Sequence, residues 1–284
     1  MHEANNYKAL LVIASKRLKA AGIYKPAREA RRLIMHASGL DAAGLISSEL
    51  SEMPPQTRAA YFDLIERRTA GEPFEYLTGE ASFYGLDFIC SSATLIPRAD
   101  SEVVVDEALA RLPLGRKARV ADLGTGTGCL LIALMKNHPG LQGIGIEQSS
   151  EAAEIARRNL ARHGLTDRAL ILPESWTDTS QWHSAELVIA NPPYIAAATI
   201  QSLDKSVKAF EPLTALDGGD DGLEAYRSII SLAAQHLSPG AWLVFEIGYD
   251  QREAVSRLLQ EHTFTSISSV QDHGLRDRVV SAKR

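Results

Sequence analysis

The sequence of 284 residues is poor in cysteine and in long apolar runs. Its two cysteines, Cys90 and Cys129, have no metal-ligand spacing, so no metal site is predicted, and they are too few for a disulfide framework. No segment is apolar enough over the length of a bilayer, and the first residues, which include Glu3, do not form a signal peptide. These absences predict a protein of the reducing cytoplasm without membrane association.

An excess of positive charge is also missing. The 30 lysines and arginines are outnumbered by 35 acidic residues, which gives a formal net charge of −5. A protein whose main task is to hold nucleic-acid phosphates usually carries the opposite sign. The charge therefore predicts no stable nucleic-acid binding, although a local basic face remains compatible with it.

The first part of the chain has the apolar periodicity of helices. Three such stretches end near Gly22, Gly39 and Gly71, and the second of them can start at Pro26. Helices of this length need one another to bury their apolar faces. We therefore predict a small N-terminal helical bundle over residues 1–72.

The pattern then changes twice. Over residues 73–98 it becomes short alternating apolar segments, such as Tyr76-Leu77-Thr78-Gly79 and residues 83–89, which predict a β-hairpin linker. Over residues 99–284 strands and helices alternate. Such alternation is typical of an α/β fold, here a mostly parallel, Rossmann-like sheet with helices on both faces.

A glycine-rich loop follows a short strand in this last part. Residues 119–123 lead into Gly124-Thr125-Gly126-Thr127-Gly128, after which a helix starts at Cys129. Glycines let the backbone approach a ligand closely, and a helix start offers free N–H groups. The next strand ends in Glu147, at the distance expected of a ribose-binding acid. Together these features predict a nucleoside pocket.

The spacing of the glycines indicates which nucleoside this is. A dinucleotide fingerprint needs glycine where Cys129 stands, whereas the Gly-x-Gly-x-Gly form fits S-adenosylmethionine better. Trp176 follows a strand over residues 169–172 and is placed to stack near the adenine, but the pattern also fits a core tryptophan. Asp122 either contacts the methionine amine or caps the loop.

The stretch Asn191-Pro192-Pro193-Tyr194 follows an apolar run of strand length, so we expect it at a strand's carboxyl end. Asn191 offers an amide oxygen, the prolines a stiff backbone, and Tyr194 a flat apolar face. Such a corner suits a planar NH2 group, whose delocalised lone pair attacks poorly. Two acceptors that grip both N–H bonds would aim that lone pair at an arriving methyl group. Asn191, Pro192 and Tyr194 are therefore the predicted catalytic residues, and Asn191 also borders the cofactor.

With these motifs and further segments, the chain resembles the glutamine methyltransferases that modify class I peptide chain release factors. The resemblance covers nearly the whole chain and includes Gly71-Glu72-Pro73, Leu95-Ile96-Pro97-Arg98, Glu211-Pro212, Gly218-Gly219-Asp220-Asp221-Gly222-Leu223 and Glu246-Ile247-Gly248 with Gln251. It implies methyl transfer from S-adenosylmethionine to the glutamine amide nitrogen of the Gly-Gly-Gln loop, with S-adenosylhomocysteine as the product. By this resemblance Gly124 to Gly128, Glu147 and Trp176 hold the cofactor, and Asn191 to Tyr194 hold the glutamine. We also expect a monomer.

The chain departs from the family pattern at three places. The segment from Pro97 to Glu102 usually has a proline where Ala99 stands and a threonine where Ser101 stands. Glu147 replaces the usual aspartate, and Ser175 stands where an acid is common. These departures concern the edges of the predicted site.

Three alternatives share part of the pattern. A DNA adenine methyltransferase would also use Asn-Pro-Pro-Tyr, because adenine presents an exocyclic NH2 group, and an RNA amino methyltransferase would do so for the same reason. The acidic charge and the lack of an evident basic recognition domain count against both. The third is a non-catalytic adaptor that binds the cofactor and docks a translation protein; the intact Asn191 counts against it.

Overall fold

The structure is a computed structural model that describes residues 5–113 and 115–284. The chain divides into two compact units, one up to Gly79 and the other from Glu80 onward. None of the helices in the described residues is both long and apolar enough to cross a membrane. The domain boundaries expected at residues 72 and 98 stay predictions.

The first unit is a bundle of helices. In order they are α1 (Tyr7–Ala20), α2 (Pro26–Ser38), α3 (Ala42–Ser47), α4 (Pro55–Thr69) and α5 (Phe74–Thr78). Their apolar faces meet in one core that includes the fully buried Tyr61, whose hydroxyl donates to the Ala30 carbonyl at 3.1 Å. Asn6 and Asp41 cap α1 and α3 by accepting backbone N–H groups. The predicted helical bundle is present, and α3 was not predicted.

Helix α5 corrects the extended segment predicted over Tyr76-Leu77-Thr78-Gly79. Pro73 precedes the helix with a φ of −57°, and Gly79 ends it in the left-handed conformation with a φ of 73°. Phe74 and Leu77 lie three residues apart and are both buried in the bundle core. An alternation of apolar residues over four positions is too short to exclude one helical turn. Pro73 at the start and Gly79 at the end favour the helix over the strand.

The second unit opens with strands and then alternates helices and strands. Its elements are β1 (Glu80–Phe83), β2 (Leu86–Ile89), α6 (Glu102–Arg111), β3 (Ala118–Leu123), α7 (Cys129–Asn137), β4 (Leu141–Ile146), α8 (Ser150–Arg162), β5 (Ala169–Leu172), β6 (Leu187–Ala190), α9 (Ala197–Ile200), α10 (Lys205–Phe210), α11 (Glu224–His236), β7 (Trp242–Glu246), α12 (Arg252–Glu261), β8 (Thr265–Gln271) and β9 (Asp277–Lys283). Within the described ranges, seven strands form one sheet in the order β5-β4-β3-β6-β7-β9-β8. Neighbouring strands are parallel except at β9, which runs antiparallel to both β7 and β8. The predicted Rossmann-like, mostly parallel sheet is confirmed.

Helices cover both faces of this sheet. Helices α6, α7 and α8 pack on one face around residues such as Val104 and Leu131, while α11 and α12 pack on the other around Ile230 and Leu259. Every residue of β6 is buried, as expected of a central parallel strand that is covered on both sides. The two apolar layers hold the sheet between them and leave the ends of its strands available for binding.

The β1–β2 hairpin is fixed to the rest of this unit by one buried side chain. Asn159 of α8 accepts the Ile89 N–H at 2.8 Å and donates to the Ile89 carbonyl at 2.9 Å. The same amide donates to the carbonyl of Thr127 in the glycine-rich loop, also at 2.9 Å. Asn159 thus links the hairpin, α8 and the loop by satisfying three backbone groups.

The order of strands reverses at β3, with β4 on one side and β6 on the other. Leu123, the last residue of β3, is in register with both Ile146 and Ala190, which end the two neighbouring strands. The segments that follow these strands therefore leave the sheet at adjacent points of one edge. Open α/β sheets bind ligands at this edge, where the order reverses.

We predict that Asn159→Ala lowers the free energy of unfolding of the second unit by roughly 2–4 kcal/mol, because buried backbone groups of Ile89 and Thr127 lose their partners. Urea unfolding followed by tryptophan fluorescence measures this unit, since all three tryptophans lie in it. Arg158→Ala, an exposed neighbour on the same helix, is the control and should change stability by less than about 0.5 kcal/mol. Equal stabilities of the two variants would contradict the role of Asn159.

Candidate active site

The loop after β3 is a cradle of backbone. Gly124, Gly126 and Gly128 have φ angles of 72°, 55° and 79°, which other residues rarely adopt. The N–H groups of Gly124 and Thr125 both donate to the carbonyl of Ile146 at the end of β4, at 2.8 and 3.0 Å. A Cβ added to Gly126 would meet no heavy atom within 4 Å. The loop is therefore shaped by its own hydrogen bonds and leaves open space above Gly126.

Two carboxylates border the cradle. Asp122 is almost fully buried, and one of its oxygens accepts the Thr125 hydroxyl at 2.6 Å. Its other oxygen, Oδ1, is buried with no hydrogen-bond partner in the described part of the chain. Burial raises the pKa of Asp122 to about 7. Asp122 thus caps the loop, as the sequence allowed, and keeps one acceptor atom for a further donor.

Glu147 follows β4 and turns its carboxylate back onto the loop. One oxygen accepts the Gly126 N–H and the other accepts the Ser149 N–H, each at 2.9 Å. The carboxylate therefore orders the cradle, and each oxygen retains a further lone pair for a ligand hydroxyl. Its predicted ribose contact stays a prediction.

Trp176 lies beside the cradle. A Cβ on Gly124 would be 3.7 Å from Cζ3 of the indole. The indole Nε1 donates to the Ser228 hydroxyl at 3.3 Å, and the ring packs against the core on the α11 side of the sheet. Trp176 consequently combines the two positions that the sequence left open, next to the loop and against the core. Its stacking on adenine stays a prediction.

Asn191-Pro192-Pro193-Tyr194 begins directly after β6, as predicted. The Asn191 side chain is half-buried, and its Nδ2 lies 3.5 Å from the hydroxyl oxygen of Ser101. Pro192 is buried. The Tyr194 hydroxyl lies 3.4 Å from Oε1 of Glu246, and burial raises the pKa of this phenol. We call these four residues the acceptor corner.

Segments outside the two motifs brace the acceptor corner. Gln251 donates its side-chain NH2 to the carbonyls of Tyr194 and Gly222 at 2.9 and 3.1 Å. A Cβ on Gly218 would stand 2.8 Å from the Tyr194 Cα, so this approach requires glycine. Gly218 also donates its N–H to the Ile195 carbonyl at 2.9 Å. The stretch from Gly218 to Gly222 and Gln251 therefore fix the backbone of the corner.

A further contact joins two more of the segments on which the resemblance rests. The Arg98 guanidinium forms an ion pair with Glu211, which is buried. The other Glu211 oxygen accepts the Ile96 N–H at 3.3 Å. Burial raises the pKa of Tyr194, and the Arg98 charge is among the influences that oppose this rise.

Sequence reasoning did not assign Glu246 to the site. It ends β7, the strand beside β6, and its side chain is almost fully buried. Burial raises the pKa of this carboxyl to about 7, and its Oε2 has no hydrogen-bond partner in the ranges described. Its signal in the sequence was an acid at the end of an apolar strand, and it directly follows Phe245, the register partner of the residue before Asn191.

The predicted site residues fall into two neighbouring groups on one edge of the sheet. Gly124 to Gly128, Glu147 and Trp176 surround the cradle, and Asn191 to Tyr194 form the acceptor corner next to it. A cavity of about 370 Å³ lies where the strands begin, at the opposite edge, and its lining includes none of these residues. No group of residues suited to hold a metal ion occurs in the described ranges.

Comparison with protein families agrees with this geometry. The model described as "Methyltransferase small domain" matches residues 101–208, and the one described as "PrmC N-terminal domain" matches residues 9–79. A solved methyltransferase from Pyrococcus furiosus shares the fold with a TM-score of 0.51 and 16% identity, over 70% of this chain and 89% of that one. The fold and the site define an S-adenosylmethionine-dependent methyltransferase.

Curated relatives match almost end to end. The "Release factor glutamine methyltransferase" of Geobacter sulfurreducens is 39% identical over 266 residues, which cover 94% of this chain and 92% of the relative. The protein of the same description from Agrobacterium fabrum is 38% identical over 97% of this chain and 96% of its own. The chain belongs to the release factor glutamine methyltransferase family, and the resemblance found in its motifs is confirmed.

We predict that Glu147→Ala weakens S-adenosylmethionine binding, because it removes both the predicted ribose acceptor and the group that holds the Gly126 N–H. A charge-assisted hydrogen bond contributes roughly 1.5–3 kcal/mol, so Kd should rise between about 10-fold and 150-fold. Titration calorimetry measures this change. Glu151→Ala removes an exposed acid from the next helix and should leave Kd unaltered. An unchanged Kd in Glu147→Ala would show that another residue binds the ribose.

Proposed function

We propose that this protein transfers a methyl group from S-adenosylmethionine to the glutamine side chain in the Gly-Gly-Gln loop of class I peptide chain release factors. The observation that carries the proposal is the acceptor corner, which lies next to the glycine cradle at the edge where the strand order reverses. Relatives described as release factor glutamine methyltransferases match both compact units, which supports a protein acceptor over DNA or RNA.

The cradle has the features that S-adenosylmethionine requires. Space above Gly126 admits a ligand close to the backbone, and Asp122 Oδ1 is a buried acceptor that suits the ammonium of the methionine part. Glu147 is suited to the ribose hydroxyls and Trp176 to the adenine face. When bound, S-adenosylmethionine supplies an electrophilic methyl group on a positively charged sulfur.

The acceptor corner is suited to hold the glutamine amide in one orientation. The Asn191 Oδ1 and the Pro192 carbonyl each accept one N–H of the glutamine NH2 group, and the Tyr194 ring covers its plane. Gripped in this way, the nitrogen directs its lone pair out of the plane and its growing positive charge is stabilised by two oxygens. The nitrogen would gain the methyl group as the bond between that methyl group and sulfur breaks, with S-adenosylhomocysteine as the other product, and would release one proton to water. The corner achieves this by position, without a strong base.

We predict that Asn191→Ala reduces kcat by on the order of a hundredfold or more, as does the loss of one preorganised polar contact in other enzymes. The Kd for S-adenosylmethionine should change by no more than about twofold, since Asn191 only borders the cofactor and the cradle itself is unaltered. Transfer of labelled methyl to purified release factor measures kcat, and duplex DNA and RNA serve as competing acceptors.

Asn137→Ala, at the far end of α7, is the matched control and should keep full activity. A release factor without the glutamine of its Gly-Gly-Gln loop should accept no label. Near-normal turnover by Asn191→Ala would refute the role of the acceptor corner, and stronger labelling of nucleic acid than of release factor would refute the proposed substrate.

The helical first unit has a separate role in this proposal. A glutamine on a loop offers little surface of its own, so selection of one protein needs contacts away from the reacting amide. The cradle and the acceptor corner consist of residues of the second unit, and the family model of an N-terminal domain matches residues 9–79 of the first. We therefore propose that it docks the folded release factor.

We predict that a shortened chain of residues 80–284 binds S-adenosylmethionine normally but loses at least about a hundredfold in kcat/KM on intact release factor. On a short Gly-Gly-Gln peptide the loss should stay below about threefold, since the peptide cannot use the remote contacts. Binding calorimetry on the shortened chain confirms that it is folded. Equal losses on both acceptors would assign the helices a role in stability, and full activity on both would exclude docking.

A further inference from the structure

The asparagine of the acceptor corner must present one particular side of its amide. An asparagine side chain can turn either its oxygen or its NH2 group toward a ligand, because the two have nearly the same shape. Only the oxygen accepts the N–H of a glutamine. If the Asn191 amide were turned the other way, its NH2 group would face the NH2 group of the glutamine, and both are donors. The reaction proposed above therefore requires a group that fixes the orientation of Asn191.

The group that faces the Asn191 amide is Ser101, which is buried directly before α6. Its hydroxyl oxygen lies 3.5 Å from Asn191 Nδ2, a long contact of the kind that often tightens only when an active site is occupied. A serine hydroxyl has one hydrogen to donate and lone pairs that accept. The orientation of Asn191 therefore depends on where the Ser101 hydrogen goes.

The Glu246 carboxylate is the acceptor available for the Ser101 hydrogen. Burial raises the pKa of Glu246, and the nearby Ser101 hydroxyl is among the influences that oppose this rise. Glu246 is 2% exposed, and its Oε2 accepts no hydrogen bond in the described residues. Asn191 and Glu246 directly follow Ala190 and Phe245, which are register partners on β6 and β7, so the two side chains start from adjacent positions. A buried carboxylate oxygen without a donor is a strong acceptor for the neighbouring hydroxyl.

The direction of the contacts then follows from counting hydrogens. If Ser101 donates its only hydrogen to Glu246, lone pairs alone remain to face Asn191. The Asn191 NH2 group can donate to these lone pairs, whereas Oδ1 in the same place would set oxygen against oxygen. Nδ2 therefore turns toward Ser101, and Oδ1 turns away from it.

We propose that Ser101 and Glu246 are positioning residues: the Glu246 carboxylate takes the Ser101 hydrogen, and the Ser101 oxygen holds the Asn191 amide with Oδ1 toward the acceptor nitrogen. The proposal rests on the proposed function, since it concerns the same corner. Neither residue touches the reacting atoms, and both act through Asn191.

The arrangement needs Glu246 in its ionised form. A protonated Glu246 can donate to Ser101, which frees the Ser101 hydrogen to bond Asn191 Oδ1 and so permits the opposite orientation. The groups that face Glu246 are Arg278 of β9, Tyr194 of the acceptor corner, Asp100 before α6, Cys129 at the start of α7 and Tyr226 of α11. Burial raises the pKa of Glu246 to about 7, while the Arg278 charge opposes this rise. The orientation of Asn191 should therefore become fixed as the pH rises through about 7.

The first test uses the full-length protein and three serine variants. Ser101→Ala should lower kcat on release factor about 10-fold to 100-fold, with Kd for S-adenosylmethionine and KM for release factor nearly unchanged. Ser101→Thr keeps a hydroxyl and should restore most of the wild-type kcat. Ser231→Ala removes a half-buried hydroxyl on α11, away from the corner, and should have no effect. A Ser101→Thr protein as slow as Ser101→Ala would overturn the proposal, because the hydroxyl would then be irrelevant.

The second test needs no acceptor protein. The side-chain amide signals of Asn191 in a nitrogen-15 NMR spectrum are assigned by their loss in Asn191→Ala. In the wild type and in Ser101→Thr these signals should shift with pH, with a midpoint near pH 7. In Glu246→Gln this titration should vanish. In Ser101→Ala the signals should be displaced from their wild-type positions at every pH. If the wild type methylates no release factor while these shifts occur, the proposed function fails and the positioning stands. If the Asn191 signals neither shift with pH nor change in Ser101→Ala, the proposed positioning is wrong.

Discussion

The parallel pairing of β3 with β4 and β6 is the constraint on which the site depends. Leu123 is the register partner of Ile146 on one side and of Ala190 on the other, so three strands end at one level. The glycine loop, the acid at 147 and the acceptor corner begin one residue beyond those ends. A slip of one residue in either pairing would turn each following side chain to the opposite face of the sheet. The two apolar layers that fix the register therefore also fix the distance between the glycine loop and the acceptor corner.

At this edge the protein keeps two buried carboxyl groups that a core chosen for stability alone would lack. Asp122 and Glu246 each have one oxygen without a partner in the described residues, and burial raises the pKa of both to about 7. Burial of an unsatisfied acceptor opposes folding, so these groups are expected where binding or orientation requires them. Asp122 faces the cradle and Glu246 faces the acceptor corner. Each carboxylate thus belongs to one of the two halves of the site.

Much of this fold follows from local patterns in the sequence. The alternation of strands and helices, the glycine loop after β3 and the proline corner after β6 are contiguous signals, and the structure has each where it was expected. Helix α5 was missed because one turn is shorter than any reliable period. Ser101 and Glu246 were missed for a different reason: they are far apart in the sequence and become neighbours of Asn191 only through the strand order. Chain order cannot give such contacts without the register of the sheet.

The same neighbourhood explains why an amide, and not a carboxylate, suits position 191. An aspartate there would offer two acceptor oxygens in any orientation and would need no group to orient it. However, its charge would lie beside Glu246, whose carboxyl is already buried. Two adjacent carboxylates in a buried place cannot both stay ionised, so one would take up a proton and become a donor. A neutral asparagine avoids this conflict but can be turned either way. It therefore needs the Ser101 hydroxyl, together with the neighbouring Glu246 carboxylate, to fix its orientation.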